Sequence, residues 1–135
     1  MVTDLESGIL PFKDDSVDEV IAFEVLEHIS NLEQMIEEIY RVMKKGAVFR
    51  ITVPYKDSIL SLNHVQRFDE CYFMGWDKDW YQSKEGDGRF QFNFNFETKK
   101  LELIGNKIAL LLPFRTWRGF FDHLIRGIYI ELVKK

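Results

Sequence analysis

The sequence predicts a single α/β domain in which parallel strands come first and antiparallel strands follow. Three observations predict this class. Residues 20–23 form an unbroken apolar run, the next segment carries apolar residues at helical spacing, and residues 47–53 alternate before Pro54. A strand, a helix and a second strand in this order form a βαβ unit with two parallel strands. The later alternating segments are typical of antiparallel strands with one solvated face.

Composition narrows the class of protein. The chain has 135 residues, of which 46% are hydrophobic, enough for one core. Its net charge of −4 argues against a general nucleic-acid-binding surface. The lone Cys71 cannot form an internal disulfide, so we expect a cytoplasmic protein with this thiol inert in the core. The N-terminal residues are acidic, and no apolar run reaches the length of a membrane span, so we expect neither a signal peptide nor a transmembrane segment.

The first strand and the loop before it are read from residues 10–23. Pro11 and the Asp14-Asp15-Ser16 stretch favour a loop, and Val17 leads into the apolar run that ends at Phe23. An unbroken apolar run predicts a strand that is covered on both faces.

The helix that follows has a start signal, an apolar face and a stop signal. Ser30 and Glu33 have the spacing of a capping box. Lys44 and Lys45 suit the last turn, and Gly46 supplies the stop. The apolar positions step by three and four: Leu32, Met35, Ile36, Ile39, Val42 and Met43.

The second strand and the remaining chain complete the prediction. Ala47 to Val53 forms a strand that Pro54 ends, and residues 58–62 and 64–81 form loops with short helical pieces. Residues 89–97 alternate sharply and predict a strand, while 101–104 and 108–112 continue the pairing around a turn at 105–106. Residues 114–125 predict an aromatic helix that packs on the sheet, with a membrane surface or a lipid-like substrate as the alternative. Residues 128–133 form the last strand.

The most chemically suggestive stretch is the acidic turn from Glu24 to His28. Glu24, Glu27 and His28 stand at i, i+3 and i+4, so they share one face if the turn is helical. This mixture of oxygen and nitrogen ligands suits a divalent metal ion such as Mg²⁺, Mn²⁺ or Zn²⁺. The alternative is a solvated glutamate beside a packed histidine.

Three spaced motifs carry a family resemblance. LPFKDDSVDEVIAFEVLEHI, EEIYRVMKKG and AVFRITVPY together resemble the class I S-adenosylmethionine-dependent methyltransferases of the broad type 11 group. The resemblance covers residues 2–55 and implies a partial Rossmann-like methyltransferase sheet. Residues 1–55 would form its βαβ core, and residues 56–135 would supply acceptor-side loops and the C-terminal antiparallel strands. The implied function is methyl transfer from S-adenosylmethionine to a small-molecule acceptor.

The resemblance also implies site residues. Asp4 would hold the adenine amino group, Leu5 would offer its backbone N–H to the same ring, and Phe23 and Glu24 would border the cofactor and the acceptor. Two related groups, the ubiquinone-biosynthesis O-methyltransferases and the small-RNA 2′-O-methyltransferases, use a similar E-x-x-E-H as a metal site. The second group adds a later histidine, for which His64 is the candidate here. Tyr55, His64 and Arg67 are the candidate substrate contacts.

One departure from the family's sequence pattern determines which partners we expect. The family's glycine-rich loop and first strands have no counterpart among the eight glycines of this chain. We therefore expect a truncated chain, or one whose open sheet edge pairs with a complementing N-terminal chain or a second copy. The alternative function is a catalytically inactive methyltransferase-like module that acts as a partner subunit.

Overall fold

The architecture is a four-stranded mixed sheet, seen in a computed structural model that describes residues 5–55, 64–85, 90–105 and 125–135. The strands are β1 (Val17–Phe23), β2 (Met43–Pro54), β3 (Phe96–Gly105) and β4 (Ile125–Lys134). The helices are α1 (Leu32–Val42), α2 (Glu70–Met74) and α3 (Lys78–Glu85), with 3₁₀ turns at Leu5–Ser7 and Leu26–His28. The predicted elements at 58–62, 108–112 and 114–124 lie outside the described residues.

The strand order is β1-β2-β4-β3. β1 pairs with β2 in parallel, and β4 pairs antiparallel with both β2 and β3. This confirms the predicted mixed α/β sheet, with parallel strands first and antiparallel strands later. Because β4 is inserted between β2 and β3, the strand that comes last in the sequence lies inside the sheet.

The core lies on one face of the sheet, where α1 packs. Phe49, Ile51 and Ile130 are fully buried at the sheet centre, together with Met35 and Ile36 from the helix. The alternation predicted for residues 47–53 is confirmed, since Ala47, Phe49, Ile51 and Val53 are all buried.

The prediction that β1 is covered on both faces is wrong. Ala22 is buried, but Ile21 is 55% exposed and Phe23 is 51% exposed. β1 is an edge strand of the sheet. In the described part of the chain, no element packs on the face that carries Ile21 and Phe23. The apolar run therefore predicted the strand correctly, but the prediction that both faces of the strand are covered was incorrect.

The predicted ends of the first helix also need correction. α1 begins at Leu32 with Asn31, rather than the predicted Ser30, as its N-cap. The helix ends at Val42, and the fully buried Met43 already pairs with Val17 in the sheet. Gly46, at φ +80°, lies in the irregular start of β2 rather than at the helix end.

The loop before β1 is hydrogen-bonded to helix α1. The Arg41 guanidinium of α1 donates to the carbonyl oxygens of Leu10 and Phe12, at 3.2 and 3.0 Å, and pairs with Glu38 and Asp14. Glu38 in turn accepts from the Leu10 backbone N–H at 2.8 Å. The LPF loop and the E-x-x-R helix segment are therefore two halves of one hydrogen-bonded clamp.

Three further predictions change in the second half of the chain. Phe94 and Phe96 are buried on the same side, as the alternation of residues 89–97 predicts, yet β3 begins only at Phe96 and residues 90–95 pair with no strand. Cys71 is exposed on α2, so the expectation of a buried thiol is wrong. Ile125, assigned to the aromatic helix, is the first residue of β4.

Candidate functional site at the carboxyl ends of the parallel strands

The site begins where β1 ends. Glu24 follows Phe23 and has a φ of +53°, a left-handed conformation that is uncommon for a residue with a side chain. Its backbone N–H donates to the carbonyl of Thr52 at 2.8 Å, which fixes this bend against the end of β2. Backbone conformations of this kind concentrate at functional sites because the surrounding structure must hold them.

The bend places a buried carboxylate behind it. The 3₁₀ turn Leu26–His28 buries Leu26 and Glu27, each to 1% exposure, and leaves His28 at the surface. The prediction that Glu24, Glu27 and His28 share one helical face does not hold, because the chain turns as a short 3₁₀ segment rather than an α-helix.

The segment that carries His64 is brought to this turn by backbone hydrogen bonds. The backbone N–H groups of Val65 and Gln66 both donate to the Glu27 carbonyl, at 2.9 and 3.3 Å. The rings of His28 and His64 then meet edge to face with centroids 5.0 Å apart. One ligand atom from each of Glu27, His28 and His64 lies within 4.8 Å of the others.

The electrostatics of the trio are unbalanced. Glu27 Oε1 lies 3.8 Å from His28 Nε2, too far for a hydrogen bond, and Glu27 Oε2 has no hydrogen-bond partner among the residues described. His64 Nδ1 is likewise buried and unpartnered within the described ranges. Burying a carboxylate without a hydrogen bond or counter-ion costs several kcal/mol. A cation at this position would remove that cost.

Glu24 stands beside the trio rather than in it. Partial burial raises the pKa of its carboxyl, and the nearby Glu27 carboxylate raises it further, while His64 and His28 act in the opposite direction. The pKa of Glu24 therefore depends on Glu27, His28 and His64. Glu24 itself contributes no ligand atom to the group within 4.8 Å.

The other predicted site residues are placed as follows. Leu5 lies in the first 3₁₀ turn, partly buried against the core, and Phe23 is half exposed at the end of β1. Tyr55 is buried to 2% exposure, so its side chain belongs to the core, whereas Arg67 is exposed. Asp4 lies outside the described residues. The backbone groups of Val65 and Gln66 were not foreseen, because no side-chain pattern marks them.

Known proteins resemble this chain in sequence over its first part and in fold over most of its length. Residues 1–51 match the family model described as a methyltransferase domain. Over 45 residues the chain is 42% identical to a probable S-adenosylmethionine-dependent methyltransferase of Mycolicibacterium smegmatis, and the alignment covers 33% of this chain and 18% of that protein.

Solved structures share the fold over nearly the whole chain. In the complex between the Haloferax volcanii Trm112 methyltransferase activator and a methyltransferase, the match has a TM-score of 0.62 at 18% identity and covers 99% of this chain and 60% of that chain. The cyclase SpnF matches with a TM-score of 0.57 at 16% identity, over 95% of this chain and 53% of that one. The chain thus spans between half and two thirds of the length of these neighbours.

The first 51 residues thus carry the methyltransferase-domain signature, and the described sheet has the Rossmann-like fold of the class I methyltransferases. This confirms the predicted resemblance. In the described part of the chain, no helix is long and apolar enough to cross a membrane.

Proposed function

We propose that this chain contributes two parts of an S-adenosylmethionine-dependent methyltransferase that acts on a small-molecule acceptor. These are the adenine side, meaning the residues that contact the adenine ring, and the acceptor wall, meaning the residues that border the methyl acceptor. One observation carries the proposal: Phe23, Glu24 and the His28–His64 pair converge at the carboxyl ends of the two parallel strands. Open α/β sheets bind their ligands at this end. The methyltransferase-domain match over residues 1–51 supports the same assignment.

On this proposal, Asp4, Leu5, Phe23 and Glu24 would contact the cofactor, as the family resemblance implies. The half-exposed ring of Phe23 offers apolar surface at the strand end, which suits contact with a flat heterocycle. The cofactor, when bound, supplies an electrophilic methyl group. On the acceptor side, His64 and the exposed Arg67 would orient the substrate, with Tyr55 as a support from the core, because methyl transfer depends chiefly on positioning the acceptor in line.

The test is calorimetric titration of S-adenosylmethionine into the 135-residue chain, alone and with a candidate complementing chain. We expect binding that Phe23→Ala weakens by about tenfold, equivalent to about 1.4 kcal/mol. Phe12→Ala is the matched control, since Phe12 is 47% exposed but lies in the loop before β1. If neither mixture binds the cofactor, the enzymatic proposal fails.

A second candidate function is that of a non-catalytic partner subunit. The observation that favours it is the outer strand β1, which has one neighbouring strand within the described residues and exposes Ile21 and Phe23. A sheet edge of this kind accepts a strand from another chain, either a complementing chain or a second copy. Binding of another chain without any cofactor binding would select this function over the first. A cytoplasmic location stays a prediction.

We further propose that Glu27, His28 and His64 hold a divalent metal ion at the acceptor wall. The residues fit such an ion because Glu27 Oε2 and His64 Nδ1 are buried without partners, and the three ligand atoms already lie within 4.8 Å. A bound ion would act as a Lewis acid toward an acceptor hydroxyl. Glu24, with its raised carboxyl pKa, stays outside this set as a neighbour able to exchange a proton with an acceptor.

The metal proposal is tested by thermal unfolding with Mg²⁺, Mn²⁺ or Zn²⁺. An ion that binds only the folded chain raises the Tm, with a stabilisation of about 2.7 kcal/mol at a hundredfold excess over Kd. Glu27→Gln keeps the size of the side chain and should abolish the rise, whereas Glu33→Gln on the exposed side of α1 should not. An unchanged rise in Glu27→Gln and His64→Ala would exclude this trio.

A further inference from the structure

A cavity of about 330 Å³ lies at the end of the sheet opposite the candidate site. It is bordered by Tyr40 in the last turn of α1, by Lys78 at the start of α3 and by the segment from Phe90 to Asn95. Tyr40 precedes the start of β2, whereas Glu24 follows the end of β1, so the two sites are at opposite ends of the parallel pair. This cavity has no part in the proposed methyl transfer.

One wall of the cavity is aromatic and only partly covered. Phe92 stacks on the buried Phe94 with ring centroids 4.8 Å apart and planes inclined by 18°. Phe90 contacts Phe92 edge to face at 5.6 Å, and both Phe90 and Phe92 are half-buried. Half-buried rings fixed by neighbouring rings offer a preformed surface for stacking a further flat group.

The polar groups of the cavity have fixed orientations. The backbone N–H of Lys78 donates to Asn95 Oδ1 at 2.9 Å, so the amide nitrogen of Asn95 must be on the other side. Within the described residues, that Nδ2 donates to no acceptor. Asn93 Nδ2 donates to Glu37 Oε1 at 2.8 Å, so a carboxylate lies next to this lining residue.

Among the described residues, the acids near Lys78 form their ion pairs with another lysine. The two acids nearest to it in the chain, Asp77 and Asp79, both pair with Lys135 Nζ, at 2.8 and 2.7 Å. Lys78 lowers the pKa of Asp79 only as a secondary influence after Lys135. The Lys78 ammonium makes no hydrogen bond or ion pair with any described residue.

We propose that this cavity binds a small planar aromatic carboxylate. The ring would stack on Phe92, and the carboxylate would accept hydrogen bonds from Lys78 Nζ and Asn95 Nδ2. Glu37, bonded to Asn93, disfavours an anion beside Asn93, so the carboxylate is expected next to Lys78 and Asn95 instead. Aromatic contact combined with a few convergent polar groups is the usual composition of small-molecule sites.

The experiment is a heteronuclear NMR titration of the full chain with 2-naphthoate, with the neutral 2-naphthylmethanol as the comparison ligand. We expect saturable shifts at the amide signals of Lys78 and at the side-chain NH₂ groups of Asn93 and Asn95, with a Kd on the order of 1 mM. Lys78→Gln should weaken naphthoate binding about three- to fivefold, as for an exposed ion pair. Lys84→Gln, on the same helix, should leave it unchanged.

Three results would overturn the proposal: equal affinity for the acid and the alcohol, shifts confined to other parts of the chain, or no saturation up to about 10 mM. Phe92→Leu supplies an independent arm, because it keeps an apolar side chain but removes the stacking surface. It should weaken both ligands, whereas Lys78→Gln should affect only the acid. Since the readout involves no methyl donor, failure here and failure of the methyltransferase proposal are separate outcomes.

Discussion

At the scale of single residues, Glu24 is the most unusual position in the described chain. It combines a left-handed backbone, partial burial and a carboxyl pKa raised by that burial and by the Glu27 carboxylate. Each of these features costs stability at neutral pH, so the residue is better explained by function than by folding.

Glu24→Gln should therefore stabilise the chain at pH 7. The folded-state pKa of Glu24 lies above its ordinary value of 4.5, so ionised Glu24 destabilises the folded state at pH values above the folded pKa. The penalty disappears as pH falls through the folded pKa toward 4.5, and the wild-type and variant curves should converge there. Urea unfolding at pH 7 and pH 4 measures the difference.

Glu33→Gln provides the comparison, since Glu33 is an exposed glutamate on α1. A gain for Glu24→Gln that persists undiminished at pH 4 would show that the carboxyl charge is not its cause.

Glu27, His28 and His64 show how much of the candidate metal site could be predicted from residue types alone. The E-x-x-E-H spacing identified Glu27 and His28, and both lie in the structural cluster. His64 could be assigned only by resemblance, because its approach depends on backbone bonds from Val65 and Gln66 to Glu27. Hydrogen bonds between backbone groups 38 or 39 positions apart leave no trace in side-chain spacing.

At the scale of elements, β2 and β4 approach each other closely at Gly127. A Cβ atom on Gly127 would lie 3.0 Å from the carbonyl oxygen of Val53, in a paired stretch where the backbone cannot easily retreat. A glycine inside a strand often marks such a close approach.

Gly127→Ala should lower the free energy of unfolding by about 1–3 kcal/mol, as for other overpacked positions. Gly75→Ala is the matched control, because Gly75 has a right-handed helical conformation and the new Cβ would make ordinary contacts at 3.4 Å. That control should be neutral or slightly stabilising. Chemical denaturation of both variants gives the comparison, and equal effects would contradict the close-approach argument.

The helix end illustrates what local patterns cannot decide. Lys44, Lys45 and Gly46 suit a helix terminus and an irregular strand start equally well. The burial of Met43 and its pairing with Val17 decide for the strand, and Lys44 then pairs with Asp18 at 2.7 Å. Both contacts link the start of β2 to a strand more than 20 residues earlier, which no window of local sequence contains.

At the scale of the whole molecule, one face of the sheet is packed and the other is largely open in the described residues. The open face carries a charged row in which Arg50 pairs with Glu19 and Glu131. Beside that row, Ile21 and Phe23 are exposed on the outer strand. The α/β class, with parallel strands first and antiparallel strands later, was predictable from periodicity and resemblance, but the exposure of this face was not.

We expect the chain to self-associate through β1 when no complementing chain is present. Ile21→Lys should weaken the self-association by about tenfold, because a lysine on an outer strand opposes edge-to-edge pairing. Val65→Lys is the control, since Val65 is 59% exposed but lies outside the sheet. Sedimentation over a range of concentrations measures both. A wild-type chain that stays monomeric and binds no hydrophobic dye would contradict this expectation.

The position of β4 has a consequence for the order in which the protein can be made. β2 and β3 are both synthesised before β4, yet neither pairs with the other, because β4 separates them. Lys134 and Lys135, which follow last, bind Asp15, the Tyr40 and Met43 carbonyls and Asp77. Until these residues have left the ribosomal exit tunnel, β2 and β3 each have one edge without its partner strand β4. Such non-local closure is slow, and it leaves these strand edges open to aggregation until β4 has paired.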